Sequence, residues 1–132
     1  ICRVSPSSVL IKKEIFDDIG TFDESLRVCE DYDLWLRITS KYPVHFLDIP
    51  LIYKYGGHAG QLSKVNDGIE SYRIQSLEKI IKSGVLSSQQ KIIAVNTLVN
   101  KMKIYAKGLE KRNKLRDLQD IKKNIQYWIN MI

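Results

Sequence analysis

The densest reactive cluster in the chain is Cys29-Glu30-Asp31-Tyr32-Asp33-Leu34-Trp35-Leu36-Arg37, in which three carboxylates stand beside two aromatics and an arginine. A carboxylate fixed on a rigid helix start and aimed into a cleft can accept the proton of an incoming hydroxyl. The same acids would also serve a purely structural end. An N-cap contributes about 0.5–2 kcal/mol, and a charge that offsets the helix dipole contributes about 0.3–1 kcal/mol. Spacing alone leaves both readings open. His58 lies in Gly56-Gly57-His58-Ala59-Gly60, where the glycines let backbone approach a ligand closely. Imidazole suits metal binding or proton transfer, although a lone loop histidine is equally ordinary on a surface. His45 falls in an apolar run and reads as packed. Cys2 and Cys29 are the only cysteines and show no Cys-X-X-Cys spacing, which points to reduced thiols in a cytoplasmic protein rather than to a disulfide scaffold or zinc site.

These residues need elements to hold them. Val9-Leu10-Ile11 reads as a short buried strand, and Lys12 to Ile19 as a helix stopped by Gly20, which suits a left-handed C-terminal position. Asp31 to Lys41 places Leu34, Trp35 and Ile38 at helical spacing, with acids first, Lys41 last and Pro43 to end it. Val44–Leu47 and Leu51–Tyr55 read as two further strands. The polar stretch Ser63 to Gly68 then separates residues 1–65 from a second half, 66–132. There the apolar positions recur at helical spacing in three segments, around Tyr72 to Ile81, Ile92 to Leu109 and Leu115 to Ile129. Short connections imply antiparallel packing of those helices. The fold expected is α+β, with a few short strands and helices followed by a helical C-terminal extension.

The chain has 132 residues, of which 44% are hydrophobic and 27% charged, a balance that fits a globular protein and argues against a disordered one. Residues 1–65 carry 8 Lys/Arg against 9 Asp/Glu, a balance of −1, while residues 66–132 carry 13 against 6, a balance of +7. Such a basic half could contact nucleic acid, anionic lipid or a protein partner. Glu110, Asp117 and Asp120 interrupt the basic run and no nucleic-acid motif accompanies it, so nucleic acid is not the expected partner. The apolar end, Trp128, Ile129, Met131 and Ile132, allows self-association through the helical tail, and core surface left uncovered by a missing upstream half would allow it as well. No stretch of about 18 apolar residues is present. The expected location is cytoplasmic, with a peripheral place at the inner membrane face as the alternative. The chain opens on Ile1 and Cys2 rather than Met, which suggests a piece of a longer polypeptide.

Four blocks taken together carry a resemblance that none carries alone: Ser8 to Phe16, Ile19 to Leu26, Glu30 to Arg37, and Leu51 to His58. In order and spacing they are similar to the C-terminal, acceptor-side part of family 2 glycosyltransferases of GT-A type, over about residues 5 to 63. The resemblance implies inverting transfer of a sugar from a nucleotide-sugar donor to a hydroxyl of a glycan or other acceptor, in polysaccharide or glycan assembly. It places Asp31 as the general base, with Glu30, Asp23 and Glu24 shaping the acceptor site and the loop that leads to the base. At a helix N-terminus such a base is expected to stay ionised. The resemblance also assigns His58 to a divalent metal, Mn²⁺ or Mg²⁺, or to the diphosphate, and gives Trp35 and Arg37 structural roles, with Arg37 pairing with a carboxylate. Asp31-Tyr32-Asp33 spells the Asp-X-Asp metal motif but falls in the base block and is not read as that motif. Lys54 stands where arginine is common, which weakens a bidentate phosphate contact there. The nucleotide-binding half is expected upstream, so the chain by itself is expected to be inactive.

Overall fold

The computed structural model describes residues 4–53, 55 and 68–131. The chain forms two compact units, Ile1–Ile69 and Glu70–Ile132.

In the first unit a 3-10 turn, Pro6–Ser8, leads into α1 (Lys13–Ile19), and a loop then leads to α2 (Glu30–Lys41). The α1 helix ends at Gly20, whose φ of 80° lies in a region open chiefly to glycine and whose N–H donates to the Phe16 carbonyl at 2.9 Å. The last turn of α2 is closed by the Tyr42 N–H, which donates to the Ile38 carbonyl at 2.8 Å, and Pro43 prevents continuation. Leu34, Trp35 and Ile38 recur on one face of α2 and form the core. Val9, Ile11, Ile15, Phe16, Ile19 and Tyr42 close over them. Replacing fully buried Leu34 by Ala would cost about 2–5 kcal/mol.

The expected α+β architecture is not what forms, because no strand occurs among the described residues. Val9-Leu10-Ile11 keeps the alternation of a strand, with Val9 and Ile11 packed on the core and Leu10 fully exposed. A strand also needs a neighbour to take its backbone N–H and C=O groups, and none is described beside this segment. The runs Val44–Leu47 and Leu51–Tyr53 fail more completely. Their side chains are all exposed, Phe46 at 85% and Tyr53 at 93%, and His45, expected to be packed, is exposed as well. Apolar and β-branched content predicts a strand only where a pleated, half-buried surface exists to receive it.

The second unit is helical throughout its described part, with α3 (Ile69–Lys82, whose first residue belongs to the first unit), α4 (Ser88–Lys111) and α5 (Leu115–Ile129). A capping box starts α4: the Gln90 N–H donates to Ser87 Oγ at 3.3 Å, and the Ser87 N–H donates to Gln90 Oε1 at 2.9 Å. The turn after α4 passes through Asn113 at a φ of 54°, a conformation asparagine tolerates better than most residues. That short turn brings α5 back antiparallel along α4. Leu77 of α3, Val95, Leu98, Met102 and Leu109 of α4, and Trp128 of α5 are buried. Two polar ties cross this core. Trp128 Nε1 donates to Glu78 Oε1 at 3.2 Å, and Lys101 Nζ lies 3.3 Å from Glu70 Oε2. No described helix is long and apolar enough to cross a membrane.

On the surface of the first unit, Tyr42 Oη donates to Asp18 Oδ2 at 2.9 Å and Lys41 Nζ sits 3.1 Å from Asp18 Oδ1, so the end of α2 is tied to α1. The Tyr42 hydrogen bond, then that of Lys41, holds the Asp18 carboxyl below its ordinary value, and the same bond, followed by desolvation, pushes the Tyr42 hydroxyl up. A carboxyl lowered in the folded state stabilises above its unfolded pKa of about 3.9 and loses that effect as pH falls through the lowered value. The raised tyrosine stabilises below its unfolded pKa of about 10 and loses its share as pH rises further. In urea denaturation, wild type is therefore expected to exceed Tyr42→Phe in stability at neutral pH, with the gap closing at both the acid and the alkaline limits.

Candidate functional site

The candidate residues collect at the start of α2 and in the loop before it. Cys29 precedes the helix in the left-handed conformation, with φ 65° and ψ 20°, which costs a non-glycine residue about 1–2 kcal/mol. That turn sets Glu30, Asp31 and Asp33 in the first helical turn, with no side chain capping the end. Asp31 is half-buried. Its Oδ1 accepts the Tyr32 N–H at 2.7 Å, and its other oxygen has no protein partner among the described residues. Glu30, also half-buried, has no side-chain partner among the described residues.

Asp33 has a different fate from its neighbours. It is 1% exposed, and its Oδ2 accepts from Arg37 Nε at 2.8 Å, one helical turn along. The other two arms of the guanidinium reach off the helix. Arg37 Nη1 donates to the Ile19 carbonyl and Nη2 to the Thr21 carbonyl, both at 2.7 Å. One side chain thus joins α2, the last residue of α1 and the beginning of the loop. Charge-assisted bonds of this kind are about twice as strong as neutral ones, and the rigid fork of the guanidinium spreads its donors far enough apart to reach three separated acceptors in fixed directions.

The loop also closes on itself. Asp23 Oδ1 accepts from the Ser25 N–H at 3.0 Å and from Ser25 Oγ at 2.6 Å, and the Leu26 N–H donates to the Asp23 carbonyl at 3.1 Å. Leu26 is buried. In this arrangement Asp23 shapes the turn with its own carboxylate, while Glu24 stands exposed at its tip. Of the residues that the sequence singled out, Glu30 and Asp31 are neighbours on one helix start, and Asp23 and Glu24 lie in the loop that Arg37 anchors. His58 lies outside the described residues. Sequence reasoning left Arg37's carboxylate unnamed; the i,i+4 spacing of Asp33 and Arg37 was the available signal. Nothing local could have pointed to the two carbonyls, 16 and 18 positions away.

Asp31, Glu30 and the loop's Glu24 are the acids open to a ligand, because Asp33 is committed to Arg37 and Asp23 to its turn. No group of three or more His, Cys, Asp or Glu side chains converges among the described residues. The acids at the head of α2 therefore do not by themselves fit a metal's donor set.

Comparison with known proteins agrees with the four-block resemblance. The sequence pattern of glycosyltransferase-like family 2 matches residues 1–82, which extends through the last residue of α3. An uncharacterized glycosyltransferase of Rickettsia felis is 42% identical over 57 residues, 43% of this chain and 9% of that protein. A second uncharacterized glycosyltransferase, from Rickettsia conorii, is 39% identical over 57 residues with the same coverage. The chain therefore spans about a tenth of the length of the curated relatives it matches. No solved structure matches it.

The geometry of Arg37 yields a direct expectation. Arg37→Ala leaves Asp33 buried without its partner and frees two carbonyls, and is expected to destabilise the chain by about 3 kcal/mol. Arg37→Lys, which keeps the charge but not the fork, should recover less than half of that loss in urea denaturation.

Proposed function

This chain belongs to glycosyltransferase-like family 2, and we propose that it supplies the acceptor-side part of a glycosyltransferase in which Asp31 is the general base. The observation that supports this most is the state of the Asp31 carboxylate: one oxygen is oriented by the Tyr32 N–H and the other is open, on a helix start that Arg37 locks to the rest of the unit. A general base needs this combination of fixed position and a free lone pair.

In the proposed reaction the open oxygen of Asp31 takes the proton of an acceptor hydroxyl. The hydroxyl oxygen attacks the anomeric carbon of a nucleotide sugar from the face opposite the diphosphate, so a new C–O bond forms as the bond to the diphosphate breaks and the configuration inverts. Glu30 borders the acceptor position, and the loop bearing Asp23 and Glu24 forms its edge. A divalent metal at the departing diphosphate is part of the proposal and is assigned to none of the described residues. Donor binding belongs to a nucleotide-binding half outside this chain, so the 132 residues alone are proposed to be inactive. The acceptor class proposed is a glycan, in polysaccharide assembly, with the protein in the cytoplasm.

The test is turnover of a panel of nucleotide sugars, with Mn²⁺ or Mg²⁺ present, by a polypeptide extended upstream of Ile1, by its Asp31→Asn variant and by the present chain. Turnover by the extended protein, a drop of about 10²-fold or more in Asp31→Asn and none by the chain alone are expected. Full activity in Asp31→Asn would remove Asp31 from the role of base.

A further inference from the structure

The outer face of α4 carries a pattern that the fold does not use. Ile93 and Ile104 point away from the core at 60% and 52% exposure, and Asn100, Lys107 and Lys111 fall on the same stripe by helical spacing. Lys103 borders it. This face runs for about 27 Å at 1.5 Å per residue from Ile93 to Lys111. Lys103, Lys107 and Lys111 are spaced i, i+4, i+8, so each lysine repels the next, an arrangement that weakens a helix. Glu110, the single acid of α4, flanks Lys107 and forms no ion pair among the described residues. An ordinary solvated helix face intersperses both signs of charge and keeps isoleucine inward. Here the folded chain bears like-charge repulsion and exposed branched apolar groups with no internal return.

We propose that this face of α4 is a docking surface for an anionic phospholipid bilayer, lying parallel to it with Ile93 and Ile104 at the level of the headgroups and Lys103, Lys107 and Lys111 against the lipid phosphates. Charge complementarity selects the partner. A second copy of the chain would set lysine against lysine. Nucleic acid would satisfy the lysines but has no use for isoleucines, and this face holds no aromatic on which bases could stack. An anionic membrane surface takes both components, since basic side chains reach its phosphates while apolar ones enter the acyl boundary. The surface is independent of the transferase chemistry, and its effect would be to hold the protein at a membrane surface.

The test measures co-sedimentation of the full chain with phosphatidylcholine vesicles containing one-third phosphatidylglycerol, against pure phosphatidylcholine. Binding to the anionic vesicles alone is expected. Lys107→Gln/Lys111→Gln should weaken it about fivefold per lysine removed. Lys12→Gln/Lys13→Gln, which makes the same change in net charge on α1 and its N-terminal flank, should leave it unchanged. Ile93→Ser/Ile104→Ser, at constant charge, should weaken it about tenfold. All six positions are exposed, and circular dichroism would confirm that each variant keeps its helices. Equal losses in the two lysine pairs would show attraction by net charge only and overturn the proposal. Unaltered binding in the isoleucine pair, or tighter binding to duplex DNA than to the vesicles at the same salt, would overturn it as well.

Discussion

The first unit is organised by the guanidinium of Arg37. A buried carboxylate is tolerable only with a partner, and Asp33 has one in Arg37 Nε at 2.8 Å. With its remaining donors Arg37 holds the carbonyls of Ile19 and Thr21, so the requirement to neutralise one buried charge also decides where α1 ends against α2 and where the loop to Cys29 begins. The apolar contacts of Leu34, Trp35 and Ile38 supply cohesion without direction. The three-way hydrogen bonding supplies direction, since it is satisfied in one geometry only.

That constraint divides the labour among the acids of the Glu30-Asp31-Tyr32-Asp33 run. Asp33 points inward and is consumed by structure. Asp31, two residues earlier and so on a different side of the helix, is left half-buried with one oxygen engaged. Cys29, held left-handed, aims the helix start, and the turn closed by Asp23 and Ser25 holds the loop that precedes it. The structural reading of the cluster holds for Asp33, which is buried against Arg37, while Asp31 keeps the open oxygen on which the proposed chemistry rests.

The two units meet the demand for a core differently. The second buries long stripes from α3, α4 and α5 and caps α4 with a reciprocal box. The first has a small core, and the apolar segment from Val44 to Tyr53 stands in the open. Strand-like composition there meets no neighbouring strand among the described residues, and extended backbone without a ladder is not a sheet. The α+β expectation failed on that point. It read a local preference as if the partner were part of the same stretch of sequence.

Helices were legible because their causes are local. The 3.6-residue recurrence of Leu34, Trp35 and Ile38, Gly20 as a stop and Pro43 as a terminator act within a few residues of themselves and mark α1 and α2, as the apolar recurrence of the second half marks its three helices. The four sequence blocks likewise carried the family, because a motif is a pattern along the chain. The partner of Asp18, 24 residues away in Tyr42, and the second and third acceptors of Arg37 were decided only when the helices packed. No periodicity encodes a contact between distant segments, since it depends on which faces meet and on which buried charge must be satisfied there. For the same reason the sequence could nominate Asp31, Glu30, Asp23 and Glu24 together, while the tertiary structure decided that Asp33 is the acid buried in the core and that Asp31 keeps an oxygen free.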